Sequence, residues 1–232
     1  MSNKPTTPSR QLAELQAQRD ALRAQEDRYR RALDALYTIS VACRGRVAFR
    51  EIFEIAYHEL VALFPLDACY VAVCDINHID KFRAAYMIDE GTVEYVENIQ
   101  HGHLTSRLLA GRVPLLFRDL QAERLQSSAP VDRFGNSQKL SRSWLGVPLL
   151  IGQDAVGVIS VQSYAPNVYG ETDLDLLQRF GNVVGVALEN VGLALRQQEL
   201  SQIVADSAAA RSAELEVLTA LAAERVLQRP LP

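Results

Sequence analysis

The sequence lacks the features of several large functional classes. It has no basic excess, because 24 Lys and Arg residues stand against 28 Asp and Glu, whereas nucleic-acid-binding domains carry clustered positive charge. It has no apolar run of the roughly 18 residues that cross a bilayer. Its polar start, residues 1–10, has no apolar stretch typical of a secretory signal. We therefore expect a cytoplasmic protein that binds neither nucleic acid nor membrane.

Cysteine is also scarce, and catalytic motifs are missing. The three cysteines, Cys43, Cys69 and Cys74, are odd in number and form no CxxC pair. This usage favours reduced, mostly buried thiols over disulfides. The sequence shows no clustered metal ligands, no glycine-rich phosphate loop and no GxSxG motif. We therefore predict no metal site and no catalytic residues.

The first part of the chain favours a long helix. Between residues 9 and 44 there is no Gly or Pro, and Ala, Leu, Gln, Arg and Glu dominate. Apolar side chains recur every seven residues at Leu15, Leu22, Tyr29, Leu36 and Cys43, although the companion positions are imperfect. This spacing predicts a parallel dimeric coiled coil. The alternative is a single amphipathic helix that docks on its own domain.

The middle of the chain, about residues 47–169, alternates short apolar runs with turn residues. Strands are predicted at 69–75, 82–88, 92–99, 113–117, 145–151 and 155–164, and helices at 49–64 and 103–110. Residues 118–140 are polar and irregular, with a helical turn expected at 120–125. The Gly-Gln-Asp segment at 152–154 predicts a hairpin, hence antiparallel pairing. The class is therefore α+β.

The last part of the chain again favours helix, starting at Thr172. Apolar residues with heptad spacing are Leu174, Leu177, Val184, Leu188, Val191 and Leu195, with Gly181 at one of the positions. Such a stripe is able to lie on a sheet first and to pair with a second helix further along. The predicted dimer interface therefore comprises Leu15, Leu22, Tyr29, Leu36, Leu188, Val191 and Leu195.

Three segments resemble one known family. Residues 141–162, SRSWLGVPLLIGQDAVGVISVQ, are similar to the central hairpin of GAF domains. Residues 169–195 resemble the closing helix of that family, and residues 103–119 resemble its earlier helix–strand segment. The resemblance implies a central antiparallel sheet of about six strands, with helices on both faces. Long N- and C-terminal coiled-coil helices would flank this sheet.

The family resemblance also implies a domain organisation and a role. We expect an N-terminal coiled-coil helix over residues 1–32, a GAF-like sensory domain over 33–195, and a signalling helix or linker over 196–232. GAF domains serve as input modules of sensor kinases, cyclases, phosphodiesterases and transcription regulators. The expected protein is a bacterial signal-transduction homodimer that binds an unknown small molecule and acts on a downstream output domain or partner protein.

Two ligands of GAF domains fit the sequence poorly. Cyclic-nucleotide-binding members often carry Asn-Lys, then Phe, then Asp-Glu. The matching positions here hold Gln162, Ser163, Tyr169, Asp173 and Leu174, so only Asp173 matches. Covalent bilin attachment usually uses a cysteine followed by His, and none of the three cysteines precedes His. Both ligands are therefore disfavoured.

Other residues remain as candidates for a ligand site. His101 and His103 begin the short helix, and one neutral imidazole is able to ligate haem iron, although histidines at such junctions usually face solvent. Arg107 and Arg118 suit an anionic ligand, or simply a solvated surface. The ring of Trp144 is able to stack on a planar ligand, or it is a residue of the hydrophobic core. The sequence requires no cofactor. If the protein does bind one, its identity is unknown, and haem is a candidate.

Three functions stay open at this point. The first is a non-catalytic sensory and dimerisation module. The second is a redox enzyme similar to free methionine sulfoxide reductases, which needs an exposed thiolate and a resolving thiol. Residues 107–140 contain no cysteine, which favours the first function. The third is a ligand-free scaffold whose own side chains fill the cavity.

Gly146 and Gly157 lie in predicted strands. A glycine in a strand marks either a place where a ligand or another backbone approaches closely, or a bend in the sheet.

Overall fold

The computed structural model describes residues 8–42, 48–74, 81–100, 102–124 and 139–227. In chain order the elements are α1 (Pro8–Ala42), α2 (Phe49–Leu63), β1 (Ala68–Cys74), β2 (Lys81–Asp89), β3 (Thr92–Gln100), α3 (His103–Gly111), β4 (Leu115–Phe117), α4 (Leu120–Arg124), β5 (Ser143–Ile151), β6 (Asp154–Ser163) and α5 (Glu171–Leu227). The predicted strands and helices of the middle segment agree with these bounds to within about two residues.

The strands form one six-stranded sheet in the order β3-β2-β1-β6-β5-β4. Every neighbouring pair is antiparallel, as the hairpin signal at residues 152–154 predicts. The expected antiparallel sheet flanked by long helices is thus confirmed. β1 and β6 lie at the centre, and β4, only three residues long, forms one edge.

One face of the sheet, which we call the helix side, is apolar and closely packed. On β5 and β6 it presents Leu145, Val147, Leu149, Ile159 and Val161, all buried. α2 contacts β1 and β2, and its Phe53 ring lies 6.5 Å from the ring of Tyr86 on β2. Burial of these side chains forms the part of the hydrophobic core that lies between the sheet and the helices.

α5 approaches β5 closely because of a glycine. An added Cβ at Gly181 would lie 2.8 Å from Cγ2 of Val147, so the helix rests directly on the strand at this point. The flanking residues Leu177, Phe180 and Val184 are buried on the same side of α5. Gly181 therefore continues the apolar stripe that the sequence predicts, and the stripe faces the sheet here. At Gly157, an added Cβ would lie 2.2 Å from the carbonyl oxygen of Ala72, so the approaching group is backbone.

The second half of α1 docks on the domain. Ala32, Ala35 and Ile39 are buried, and α1 contacts α2. Arg28 forms an ion pair with Asp173 near the start of α5, and its guanidinium carbon lies 5.6 Å from the centroid of the Phe64 ring. One face of α1 is therefore occupied within the chain, as the alternative of a docked amphipathic helix predicts.

Contacts divide the chain into two compact units, Met1–Glu189 and Asn190–Pro232. Within its described residues, the second unit consists of the later part of α5. The predicted boundaries at 32/33 and 195/196 stay predictions. In the described part of the chain, no helix is both long and apolar enough to span a membrane.

Candidate functional site

The opposite face of the sheet, which we call the α3 side, carries a separate apolar cluster. Its buried members are Tyr70, Ala72, Phe82, Ala85, Leu108, Phe117, Leu120, Trp144 and Val158. They come from five strands of the sheet, including the edge strand β4, and from α3 and α4, which cover this face. This α3-side cluster is where the structure brings the predicted site residue Trp144 together with aromatic neighbours.

Trp144 lies flat along β5 and fills the space above Gly146. The side chain is 3% exposed, and its ring packs edge-on against Phe117 at 5.9 Å between centroids. An added Cβ at Gly146 would lie 2.1 Å from Cη2 of Trp144. The group that approaches Gly146 is therefore the chain's own indole, which occupies the position where we considered a ligand or a bend.

Ser160 lies beside Gly146 on β6 and is fully buried. Its registered neighbours are Gly146 on β5 and Tyr70 on β1, so it belongs to the α3 side. Among the described residues, its Oγ is the one buried side-chain polar atom that has no hydrogen-bond partner. A buried hydroxyl without a partner costs about 1–3 kcal/mol, and native structures contain few of them.

The other buried polar groups on or beside this face are satisfied. The Tyr70 hydroxyl shares a 2.7 Å hydrogen bond with Oγ1 of Thr105, which ties β1 to α3. Ser143 Oγ donates to the carbonyl oxygen of Arg118 at 3.0 Å and accepts from the Val168 amide at 3.0 Å. Ser160 is therefore exceptional within an otherwise paired set.

The candidate arginines lie at the rim of this face or are engaged elsewhere. Arg107 is exposed, and its guanidinium carbon lies 5.6 Å from the centroid of the Phe117 ring. Arg118 lies 3.7 Å from a carboxylate oxygen of Glu171 in an exposed ion pair. These contacts leave both side chains in solvent, where ion pairs are weak.

A third ion pair lies at the start of β5. Arg142 donates two hydrogen bonds to the carboxylate of Asp119, one of them from Nε at 3.3 Å. These bonds hold the pKa of Asp119 below its usual value. The Arg142 fork is therefore occupied by a carboxylate of the same chain.

Of the two histidine candidates, the structure describes His103. His103 is exposed at the first position of α3, and His101 lies outside the described residues. Across the described ranges, no three His, Cys, Asp or Glu side chains are grouped to hold a metal ion. The haem alternative stays untested.

The described thiols lie on opposite faces of β1. Cys74 packs against the α3-side cluster, whereas Cys69 pairs with Val161 and Ile88 on the helix side. Burial raises the pKa of each thiol to about 12, so both are protonated at neutral pH. Cys43 lies outside the described residues.

Asp173, the one match to the cyclic-nucleotide pattern, has a structural position. One of its oxygens accepts a hydrogen bond from the Gly170 amide at 2.8 Å, and the other pairs with Arg28. Tyr169, at the preceding position of the pattern, donates its hydroxyl to the carbonyl oxygen of Pro65 at 2.8 Å. Both side chains therefore secure the start of α5.

The predicted dimer residues fall into two groups. Leu15, Leu22 and Tyr29 are exposed, Leu36 is half-buried, and Leu195 is 37% exposed. Leu188 and Val191, in contrast, are 1% and 4% exposed within the single chain. The role of all these residues in a dimer interface stays a prediction.

Sequence reasoning missed Tyr70, Thr105 and Ser160. The one available signal was Ser160, a polar residue within the apolar strand segment VGVISV. The Tyr70–Thr105 pair joins residues 35 positions apart, and the lack of a partner for Ser160 requires the neighbouring strands to be known.

The family follows from comparison with known domains. A model of the GAF domain matches residues 47–189, more than half of the chain. The chain belongs to the GAF domain family. This match confirms the resemblance, and GAF domains are typically sensory or regulatory. None of the curated proteins matches the chain.

Solved structures of GAF domains share this fold. The free methionine-R-sulfoxide reductase of Neisseria meningitidis, solved with its substrate, has a TM-score of 0.53 and 19% identity, covering 70% of this chain and 91% of that one. The GAF domain of an Acinetobacter phosphoenolpyruvate-protein phosphotransferase has a TM-score of 0.51 and 14% identity, covering 69% and 94%. The GAF domain of A. aeolicus nlh2 has a TM-score of 0.52 and 14% identity, and the match covers 70% of this chain and 98% of that one. At such identities the likeness shows the fold alone.

Proposed function

We propose that this chain is a regulatory GAF module. A small molecule binds on the α3 side of the sheet, and α1 and α5 pair with a second copy and relay the ligand state to an output domain or partner protein. The module acts without a catalytic step of its own. In support, the described thiols have pKa values of about 12, far from the activated thiolate that a sulfoxide reductase needs.

The observation that carries the proposal is an exposed apolar stripe along α1. Its members are between 51% and 70% exposed: Leu12, Leu15, Leu22, Tyr29, Leu33 and Tyr37. They lie roughly a third of a turn around the helix from the buried Ala32, Ala35 and Ile39. This α1 stripe is therefore not the face that docks on the domain. A line of large exposed apolar residues over some seven turns is typical of a helix that pairs with another helix.

α5 carries a comparable line. Within the second unit, Leu193, Leu200 and Val204 are between 51% and 67% exposed, and the first two are spaced by seven residues. We propose this α5 stripe as a further part of the dimer interface. The α5 stripe is offset by two residues along the helix from the line that contains Leu188 and Val191. This offset places the two lines on different faces of the helix.

β5 provides the physical link between the ligand face and the helices. On the α3 side, Gly146 carries the indole of Trp144, and on the helix side, Val147 meets α5 at Gly181. A change in the packing of Trp144 therefore acts on a strand that α5 touches directly. Closely packed elements shift between discrete arrangements, so a displaced strand is able to change how paired helices meet.

The test is the oligomeric state of the whole chain. We expect a dimer by light scattering, and Leu15→Glu/Leu22→Glu to weaken it by at least roughly tenfold, because two charges would be buried between helices. The control, Gln16→Glu/Ala24→Glu, adds the same charge to exposed positions away from the α1 stripe and should stay dimeric. A monomeric wild-type chain, or equal dimerisation of both variants, would contradict the proposal.

A further inference from the structure

We propose that the indole of Trp144 is a built-in occupant of a binding slot, which an uncharged, flat heteroaromatic ligand fills by displacing the indole and hydrogen-bonding to Ser160. This inference rests on the proposed function, because it assigns the site and the ligand class of the same regulatory module. It makes Trp144 a competitor of the ligand, with Ser160 as the polar contact.

The slot is defined by what surrounds the indole. Gly146 forms its floor, since only the absence of a Cβ lets the six-membered ring lie within 2.1 Å of that position. Phe117 forms one wall at 5.9 Å between ring centroids, and Tyr70 belongs to the same cluster. A space that already holds a flat bicyclic ring between aromatic neighbours suits another ring of that shape.

Ser160 supplies the polar specificity. It lies on the strand next to Gly146, on the same face, and its buried hydroxyl has no partner in the described part of the chain. The indole leaves that hydroxyl unpaired, so a ligand that pairs with it gains an interaction that Trp144 does not provide. A hydroxyl both donates and accepts, so a ring nitrogen or an exocyclic carbonyl is a suitable partner.

The charge around the slot selects an uncharged ligand. The buried members of the α3-side cluster carry no carboxylate, ammonium or guanidinium group. Described charges lie at the rim, where Arg107 contacts Phe117, Arg142 pairs with Asp119, and Glu123 interacts with Arg107. A charged ring would lose its hydration without gaining a partner, which is costly.

Trp144 also has a short way out. It is the second residue of β5, and beyond β5 the sheet has only the three residues of β4. Because the sheet ends so close to it, the indole is able to leave the slot by side-chain rotation and movement of the edge, without opening the helix side.

The experiment uses the full chain and two matched probes, benzimidazole and indene, which have the same shape but differ in hydrogen bonding. Trp144 is the one tryptophan of the sequence, so its fluorescence reports displacement directly. We expect benzimidazole to bind more tightly than indene and to shift the emission to longer wavelength as the indole meets water. Ser160→Ala should weaken benzimidazole roughly two- to tenfold and leave indene unchanged, whereas Ser201→Ala, on exposed α5, should change neither.

The second part of the experiment removes the indole of Trp144, which competes with the ligand. Trp144→Leu should bind both probes roughly tenfold more tightly by ligand-observed NMR, because no indole has to be displaced. Trp144→Phe, which keeps an aromatic ring, serves if the leucine variant does not fold, with a smaller gain expected. Equal binding by wild type and the Trp144 variant, or binding of benzimidazole without a change in Trp144 emission, would overturn the inference.

A second overturning result would show that Ser160 holds only a buried water. In that case Ser160→Ala would destabilise the fold and leave the affinities of both probes unchanged. The proposed function fails separately, through a monomeric wild-type chain. A dimer that depends on the α1 stripe but shows no competition at Trp144 would refute the slot and leave the regulatory module intact.

Discussion

The two faces of the sheet are built differently, although the same strands make both. On the helix side, apolar side chains of β5 and β6 are closely packed, and a glycine lets α5 rest on Val147. The buried Ser143 and Ser163, at the ends of these strands, are hydrogen-bonded. On the α3 side, buried polar groups alternate with aromatic rings, and Ser160 lacks a partner. The comparison teaches that the helix side is organised for stability and the α3 side tolerates an energetic cost, as binding sites commonly do.

The largest expected effect is on the helix side. Phe180→Ala should lower the free energy of unfolding by about 3–5 kcal/mol, because a fully buried ring is removed and the packed surroundings cannot collapse into the space. Urea denaturation measures the loss. The neighbouring exposed Arg179→Ala should stay within about 0.5 kcal/mol of wild type. A loss below about 1 kcal/mol for Phe180→Ala would show that the helix side is not the stabilising face.

A smaller loss is expected where α1 is attached to that side. Arg28→Ala should cost about 1–2 kcal/mol, because it leaves the partly buried Asp173 carboxylate without its partner and removes the contact with Phe64. Arg19→Ala breaks an exposed pair with Asp20 on the same helix and should have almost no effect. If thermal or urea unfolding shows the same loss of stability for both variants, the contacts of Arg28 do not stabilise the attachment of α1.

The smallest expected change in stability is on the α3 side, and it is a gain instead of a loss. Ser160→Ala removes an unpaired buried hydroxyl and should leave stability unchanged or raise it by up to about 1 kcal/mol. Ser143→Ala, on the adjacent strand, removes two hydrogen bonds and should cost about 1–2 kcal/mol. If both serine variants lose similar stability in urea unfolding, Ser160 has a partner and the contrast between the faces disappears.

Local patterns explain why the elements were predictable. The strands and helices of the middle segment agree with their predicted bounds because apolar periodicity and the Gly-Gln-Asp hairpin signal are read from neighbouring residues. The antiparallel pairing follows from the hairpin signal, whereas the family is indicated by the resemblance of three segments to GAF domains.

The residues whose role depends on tertiary neighbours could not be predicted in the same way. Asp173 matched a ligand pattern by residue type, yet its partner Arg28 is 145 positions away. Leu188 and Val191 have the same spacing as a coiled-coil line, and heptad spacing alone does not say whether a stripe meets a sheet or another helix. The unpaired state of Ser160 depends on β1 and β5, which become its neighbours only in the folded sheet.

The central claim is that the α1 stripe pairs with the same stripe of a second copy. In a parallel pair, identical positions of the stripe face each other, so a cysteine at position 22 meets its counterpart. In a Cys43→Ser background, Leu22→Cys should form a disulfide-linked dimer under mild oxidation, seen on a non-reducing gel, and Gln16→Cys should not. Cross-linking of both variants at the same rate, or of neither, would contradict the account.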